Sequence, residues 1–197
     1  MLTKEEFERL EGWFWYEEAV ALKDAIEHIK DVEGVIFEAG SYKGKSTAWM
    51  ASCTSDKIYA VDPFSWGGGT LDKFKEQTAP YNNVITVVDD AVNYRTSFNE
   101  PIKLLFIDCD HTYALTKKIY ELYEPLVVDG GIILFHDCSP MNYDLSNITN
   151  NDSNEPIPGA LDGGWYGPTQ VLQEARKIHK TWVQGDRSLH GIIKGGK

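Results

Sequence analysis

Long apolar runs are missing from this sequence. Stretches such as Leu126–Val128 and Ile132–Phe135 are only a few residues long, far short of the roughly 20 needed to span a bilayer, so no membrane partner is expected. Cysteine is scarce: Cys53, Cys109 and Cys138 are an odd number without CxxC spacing. That fits free thiols in a reducing compartment better than a disulfide framework. The first residues, Met-Leu-Thr-Lys-Glu-Glu, lack a basic start followed by an apolar run. No secretory leader is therefore expected, and a cytoplasmic location is. Basic residues are outnumbered, 19 against 30 acidic ones, for a net charge of −11. A surface that negative repels phosphate backbones, which argues against a nucleic-acid partner. What remains is ordinary globular composition, 42% hydrophobic and 25% charged over 197 residues. That is enough chain for one sizeable core without a disulfide or metal staple.

Periodicity divides the chain. Residues 3–30 read as helix, opened by a capping box of Thr3 and Glu6 and interrupted at Gly12. The cluster Trp13-Phe14-Trp15-Tyr16 is expected to pack on the main body, with a substrate wall or subunit contact as the alternatives. From Val35 the texture changes. Short apolar runs at Val35–Ala39, Lys57–Val61, Val84–Val88, Ile102–Ile107 and Ile132–Phe135 alternate with helical stretches, including Leu71–Thr78 and Ala114–Leu126. This is the α/β pattern of a parallel sheet with both faces covered. A helix over Pro168–His179 follows. Lys180–Gln184 and Leu189–Lys194 then flank a four-residue turn and read as an antiparallel hairpin. Residues 139–166 are rich in Asn, Asp, Ser, Gly and Pro without periodicity, and are expected to form a lid-like loop with Trp165 and Tyr166 as acceptor contacts.

Ligands of open α/β sheets bind beyond the carboxyl ends of the strands. Those ends carry Glu38, Asp62, Asp90, Asp108 and Asp137. Five converging carboxylates repel one another unless something uses them. The first tip, Ala39 to Ser46, reads A-G-S-Y-K-G-K-S and admits a phosphate-loop NTPase, with Ile107-Asp108 as its acidic strand. Against it stand Glu38 beside the loop and Asp62, an acid 24 residues on, suited to ribose hydroxyls. A dinucleotide site is weaker still, because Tyr42 replaces the second glycine of GxGxxG.

The run Glu38-Ala39-Gly40-Ser41-Tyr42-Lys43-Gly44-Lys45-Ser46 resembles the first motif of class I S-adenosylmethionine-dependent methyltransferases. The small-molecule O-methyltransferases of the catechol and macrocin types are the most similar. Val61-Asp62-Pro63, Ile107-Asp108-Cys109-Asp110-His111 and Gly130-Gly131-Ile132-Ile133-Leu134-Phe135-His136-Asp137 continue the resemblance. It implies a Rossmann-like α/β fold: a mostly parallel seven-stranded sheet closed by an antiparallel C-terminal hairpin. Residues 1–31 would be an N-terminal helical extension and 32–197 the methyltransferase domain. S-adenosylmethionine would be the cofactor, and a small hydroxylated molecule, sugar or aromatic, the acceptor. Self-association is left open. Gly40, Tyr42 and Gly44 would form the cofactor turn, Glu38 and Ser46 would hold the methionine end, Asp62 the ribose and Asp90 the adenine. Asp108 and Asp137 would share Mg2+ or another divalent cation. Relatives place a third oxygen ligand where this chain has Cys138, so Asp110, His136 or water would complete the shell. His111 stands where metal-dependent relatives carry a lysine base, and with Asp108 would be catalytic. His136, expected on the opposite side of its strand from Asp137, is the rival base. A non-catalytic nucleoside-binding domain is the remaining alternative.

Overall fold

The computed structural model describes residues 1–141, 143–145, 154–160 and 164–195, with the side chains of residues 183 and 184 outside the description. The N-terminal segment forms two helices, α1 (Lys4–Glu8) and α2 (Tyr16–His28). Thr3 and Glu6 close the expected capping box on α1, and the chain breaks at Gly12. The strands are β1 (Val35–Ala39), β2 (Ile58–Asp62), β3 (Val84–Val88), β4 (Ile102–Ile107), β5 (Val127–Phe135), β6 (Lys180–Asp186) and β7 (Leu189–Ile193). Between them lie α3 (Lys45–Cys53), α4 (Thr70–Thr78), α5 (Ala91–Tyr94), α6 (Tyr113–Tyr123) and α7 (Tyr166–Ala175).

Among the described residues, seven strands form one sheet in the order β3-β2-β1-β4-β5-β7-β6. The first five are parallel. β7 is antiparallel to both β5 and β6, as the hairpin requires. The central strands β1 and β4 are buried along their whole length, with helices over both faces. One face packs on α6 and α7, the other on α1, α2 and α3. None of the three cysteines is paired in a disulfide, and no described helix is long and apolar enough to cross a membrane.

Three details differ from the periodicity. β3 is an apolar run that is not covered on both faces. It is an edge strand, and Ile85 and Val88 reach solvent, because edge position decides burial where composition cannot. β5 begins before Gly130-Gly131, which lie inside it. The amide of Gly130 donates to the carbonyl of Lys194 at 2.8 Å, tying this stretch to the end of β7. The aromatic cluster divides: Phe14 is core, whereas Trp13 and Trp15 are exposed.

Candidate functional site

The carboxyl ends of β1, β2, β4 and β5 open onto a cavity of about 680 Å³. Its walls include Ser41, Tyr42, Asp62, Asp90, Asp108, His111 and Asp137, together with Trp13, Trp66 and Trp165. Six of the sequence-predicted residues, Gly40 and Ser46 among them, therefore share one wall with the two expected catalytic groups. Glu38 and Gly44 do not reach it.

At the β1 end the chain turns at Gly40, where φ is +93°. A Cβ there would stand 1.9 Å from the carbonyl oxygen of Asp108, so only glycine lets β1 and β4 end side by side. The turn presents the amides of Ser41 and Tyr42 to Asp62 Oδ2 at 2.9 and 2.8 Å, and the amide of Phe64 donates to Oδ1 at 2.5 Å. Glu38 lies behind this loop, fully buried. It accepts from the hydroxyls of Ser41 (2.8 Å), Ser46 (2.6 Å) and Thr47. Burial pushes its carboxyl up to about 7 even though the hydroxyls of Ser46, Thr47 and Ser41 pull it down. Gly44 caps α3 in the left-handed region, against Phe74. Asp90 Oδ1 accepts from the amides of Val92 (2.7 Å) and Asn93 (3.4 Å), capping α5.

The β4–β5 end is built differently. His136 Nδ1 lies 3.0 Å from Asp108 Oδ1 and 3.1 Å from Asp137 Oδ2. Its other nitrogen, Nε2, faces Oε2 of Glu18 at 3.1 Å. Strand alternation would send His136 and Asp137 to opposite sides. Instead Asp137 takes φ +51°, and this left-handed step just past β5 swings its carboxylate back beside the imidazole. Such a backbone costs about 1–2 kcal/mol in a non-glycine residue. Its occurrence on the cavity wall fits the tendency of functional sites to hold strained residues.

His111 Nε2 lies 2.7 Å from Asp137 Oδ2. The His111 ring stacks on Trp165, 4.4 Å between centroids and 18° between planes. Trp165 is itself anchored, its amide donating to the Asp137 carbonyl at 2.7 Å. Burial opposes a charge on His111, but the hydrogen bond and charge of Asp137, with Asp108 behind it, outweigh that and raise its pKa. Burial opposes a charge on His136 as well, yet Asp108 and Asp137 carry it well above the usual histidine value. Asp137 is buried too, and its two histidine neighbours still hold its carboxyl well below the carboxylate range. His136, the rival base of the sequence reading, has a carboxylate at each nitrogen and almost no exposure.

Cys138, at the expected third-ligand position, is turned away. Its Sγ donates to the carbonyls of Phe135 (3.2 Å) and Ser188 (3.5 Å), and burial pushes the thiol up to about 12. Asp108, His136 and Asp137 instead each offer one donor atom, all within 4.8 Å of one another.

Two features were not found from the sequence. Glu18 is the first. It is buried, and besides His136 its Oε1 accepts from the Ser188 amide (3.2 Å) and hydroxyl (2.7 Å). The available signal was an acid four residues before Leu22 on the apolar face of α2. The second is Trp66, which completes an aromatic rim with Trp13 and Tyr42. Trp13 stacks on Tyr42 at 5.2 Å, and Trp66 meets both edge-on at 5.0 and 5.5 Å. Of the expected lid, residues 142, 146–153 and 161–163 lie outside the described residues.

Comparison with known proteins follows this geometry. A family model described as a methyltransferase domain matches residues 37–138, just over half the chain. Among solved structures, the apo form of CalS11, a TDP-rhamnose 3'-O-methyltransferase of calicheamicin biosynthesis, is similar at 17% identity and a TM-score of 0.65. That match covers 100% of this chain and 97% of CalS11. A putative caffeoyl-CoA O-methyltransferase from Staphylococcus aureus is similar at 18% identity and a TM-score of 0.66, covering 96% of this chain and 88% of that one. TomG from Streptomyces achromogenes, an O-methyltransferase of tomaymycin synthesis solved with S-adenosylmethionine, is 13% identical with a TM-score of 0.59, over 94% and 82% of the two chains. At these identities the structures speak for the fold, and the family match speaks for the kind of domain: the chain belongs to the methyltransferase-domain family.

Proposed function

We propose that this protein transfers the methyl group of S-adenosylmethionine to a hydroxyl of a small molecule, a sugar or an aromatic compound. The observation that carries the reading is the cavity itself. It joins a glycine turn and ribose-type acid at one end to a carboxylate-oriented histidine at the other, in a chain of the methyltransferase-domain family. In this reading residues 32–197 form the catalytic domain. Residues 1–31 form an extension that adds Glu18 and Trp13 to the site. The acidic surface disfavours a nucleic-acid acceptor, as the O-methyltransferase likenesses also suggest.

The methyl donor lies along the β1–β2 tips. Gly40 would let it approach the backbone, Asp62 would accept from a ribose hydroxyl beside its three amide partners, and Asp90 would accept from the adenine amine. Tyr42 flanks the donor with Trp13 and Trp66. Glu38, Ser46 and Gly44 shape the loop from behind. Transfer needs nucleophile, methyl carbon and sulfur in line, so alignment supplies much of the rate. His111 donates its Nε2–H to Asp137, which leaves Nδ1 to take the hydroxyl proton as the oxygen attacks. Asp137 stabilises the imidazolium that forms, and Trp165 keeps the ring from turning. Asp108 and Asp137, with a nitrogen between them, suit a divalent cation in donor type and spacing. Such an ion supplies Lewis acidity that lowers the pKa of an acceptor hydroxyl.

Calorimetry with S-adenosylhomocysteine tests the reading. Binding is expected, with none for ATP and magnesium. Tight ATP binding that depends on Lys45 would instead restore the NTPase reading. The side chain of Lys45 argues against that outcome, since its Nζ sits 4.7 Å from the centre of the Phe7 ring. S-adenosylhomocysteine binding without turnover in any acceptor screen, and no effect of His111→Ala, would leave the nucleoside-binding domain.

A further inference from the structure

The metal-type pocket at the β4–β5 tips brings a His136 nitrogen beside the carboxylates of Asp108 and Asp137. Donors held about 2.1 Å from one ion at right angles stand about 3.0 Å apart. His136 Nδ1 is 3.0 Å from Asp108 Oδ1 and 3.1 Å from Asp137 Oδ2, the edges of such a shell. A ligating imidazole must keep its proton on the far nitrogen, and ligating histidines usually donate that proton to a carboxylate or carbonyl. Here Nε2 faces Glu18 Oε2 at 3.1 Å. Glu18 cannot turn away. Its Oε1 is held by the amide and hydroxyl of Ser188, and its Oε2 also accepts from the Trp15 amide at 3.0 Å. Both residues are buried, so this support is not shared with solvent.

We propose that His136 Nδ1 is the third protein ligand of a divalent cation held by Asp108 and Asp137, that Glu18 is the positioning residue that fixes the ligating tautomer, and that the site therefore prefers Mn2+ or Co2+ to Mg2+. Imidazole suits first-row transition ions, whereas an all-oxygen set suits magnesium. The inference deepens the proposed function and rests on it for the ion's use, although the ion's binding can be measured apart from methyl transfer.

The test uses the full-length protein freed of metal with a chelator. Titration followed by electron paramagnetic resonance and calorimetry should show one Mn2+ per chain. Mn2+ and Co2+ should bind at least about tenfold tighter than Mg2+. Pulsed spectra of bound Mn2+ should show coupling to a histidine nitrogen, which His111→Asn keeps and His136→Asn removes. Glu18→Gln should weaken Mn2+ by roughly 10–100-fold, the usual effect of losing such a partner. If His136→Asn fails to fold, the wild-type spectrum with 15N-labelled histidine still decides whether nitrogen is a ligand. Absence of stoichiometric binding, equal affinity for Mg2+, or Mn2+ bound without nitrogen coupling would overturn the proposal. His136 would then be a protonated counter-ion between the two carboxylates. An S-adenosylhomocysteine titration of the same metal-free protein separates the two readings. Cofactor binding without a metal site removes only this inference, and a nitrogen-coupled Mn2+ site without cofactor binding removes only the methyl-transfer reading.

Discussion

The two ends of the cavity use the same residue type in opposite ways. At the β1–β2 tips the acids are answered from within the loop: Glu38 by three hydroxyls, Asp62 by three backbone amides. At the β4–β5 tips Asp108 and Asp137 are answered by imidazoles, and one of these is pinned by an acid from α2. Backbone amides and hydroxyls are fixed dipoles, so the first pair shapes a loop. Imidazoles can exchange protons and ligands, so the second pair is free to do chemistry.

The sharpest break of this comparison is His111→Ala. Its removal should lower turnover by about 10²–10⁴, the usual worth of a positioned base, while S-adenosylhomocysteine affinity stays nearly unchanged. Product release assays and calorimetry on the same preparation would show the split. A parallel loss of cofactor affinity would mean that the two ends are not separate.

Gly40→Ala strikes where the ends touch. The new Cβ would meet the Asp108 carbonyl at 1.9 Å with φ at +93°. Overpacking and left-handed strain together should cost roughly 2–5 kcal/mol, read by urea unfolding. Gly44→Ala meets the Phe74 side chain at 2.8 Å, which can shift, and should cost less.

Asp62→Ala should weaken S-adenosylhomocysteine by roughly 1.5–3 kcal/mol without the large loss of turnover at saturating cofactor that His111→Ala produces. It leaves the Ser41, Tyr42 and Phe64 amides without their acceptor.

The loop acid also makes a pH prediction. Folded Glu38 keeps its proton to about pH 7, against an ordinary value of 4.5. Between those values the folded protein binds more protons than the unfolded one. Its stability should therefore fall as pH rises through that window and level off above it, by on the order of 3 kcal/mol. In Glu38→Gln that slope should vanish, so the variant gains on the wild type between pH 5 and pH 8 in denaturant melts.

Smallest of all, Trp13→Ala should change stability by less than about 1 kcal/mol, because the side chain is 69% exposed. A larger loss in thermal melts would show that the rim is part of the core.

The sequence by itself determined the strand–helix alternation, the hairpin and the row of acids at the strand tips. These are local properties: apolar runs of strand length, capping residues and turn glycines carry the same signal wherever the segment packs. It also placed His111 within the acidic tip cluster, three residues after Asp108. Tertiary structure alone decided what each acid faces. Glu18 and His136 are 118 residues apart, and only the packing of α2 on the sheet makes them a pair. Cys138 held the expected ligand position, but its thiol turns inward to the carbonyls of Phe135 and Ser188, and the left-handed step at Asp137 sets that carboxylate beside His136 instead. Edge position, not composition, left β3 open on both sides. Periodicity records which face of an element is apolar. It does not record which other element will cover that face, and at this site the covering element supplies the charge.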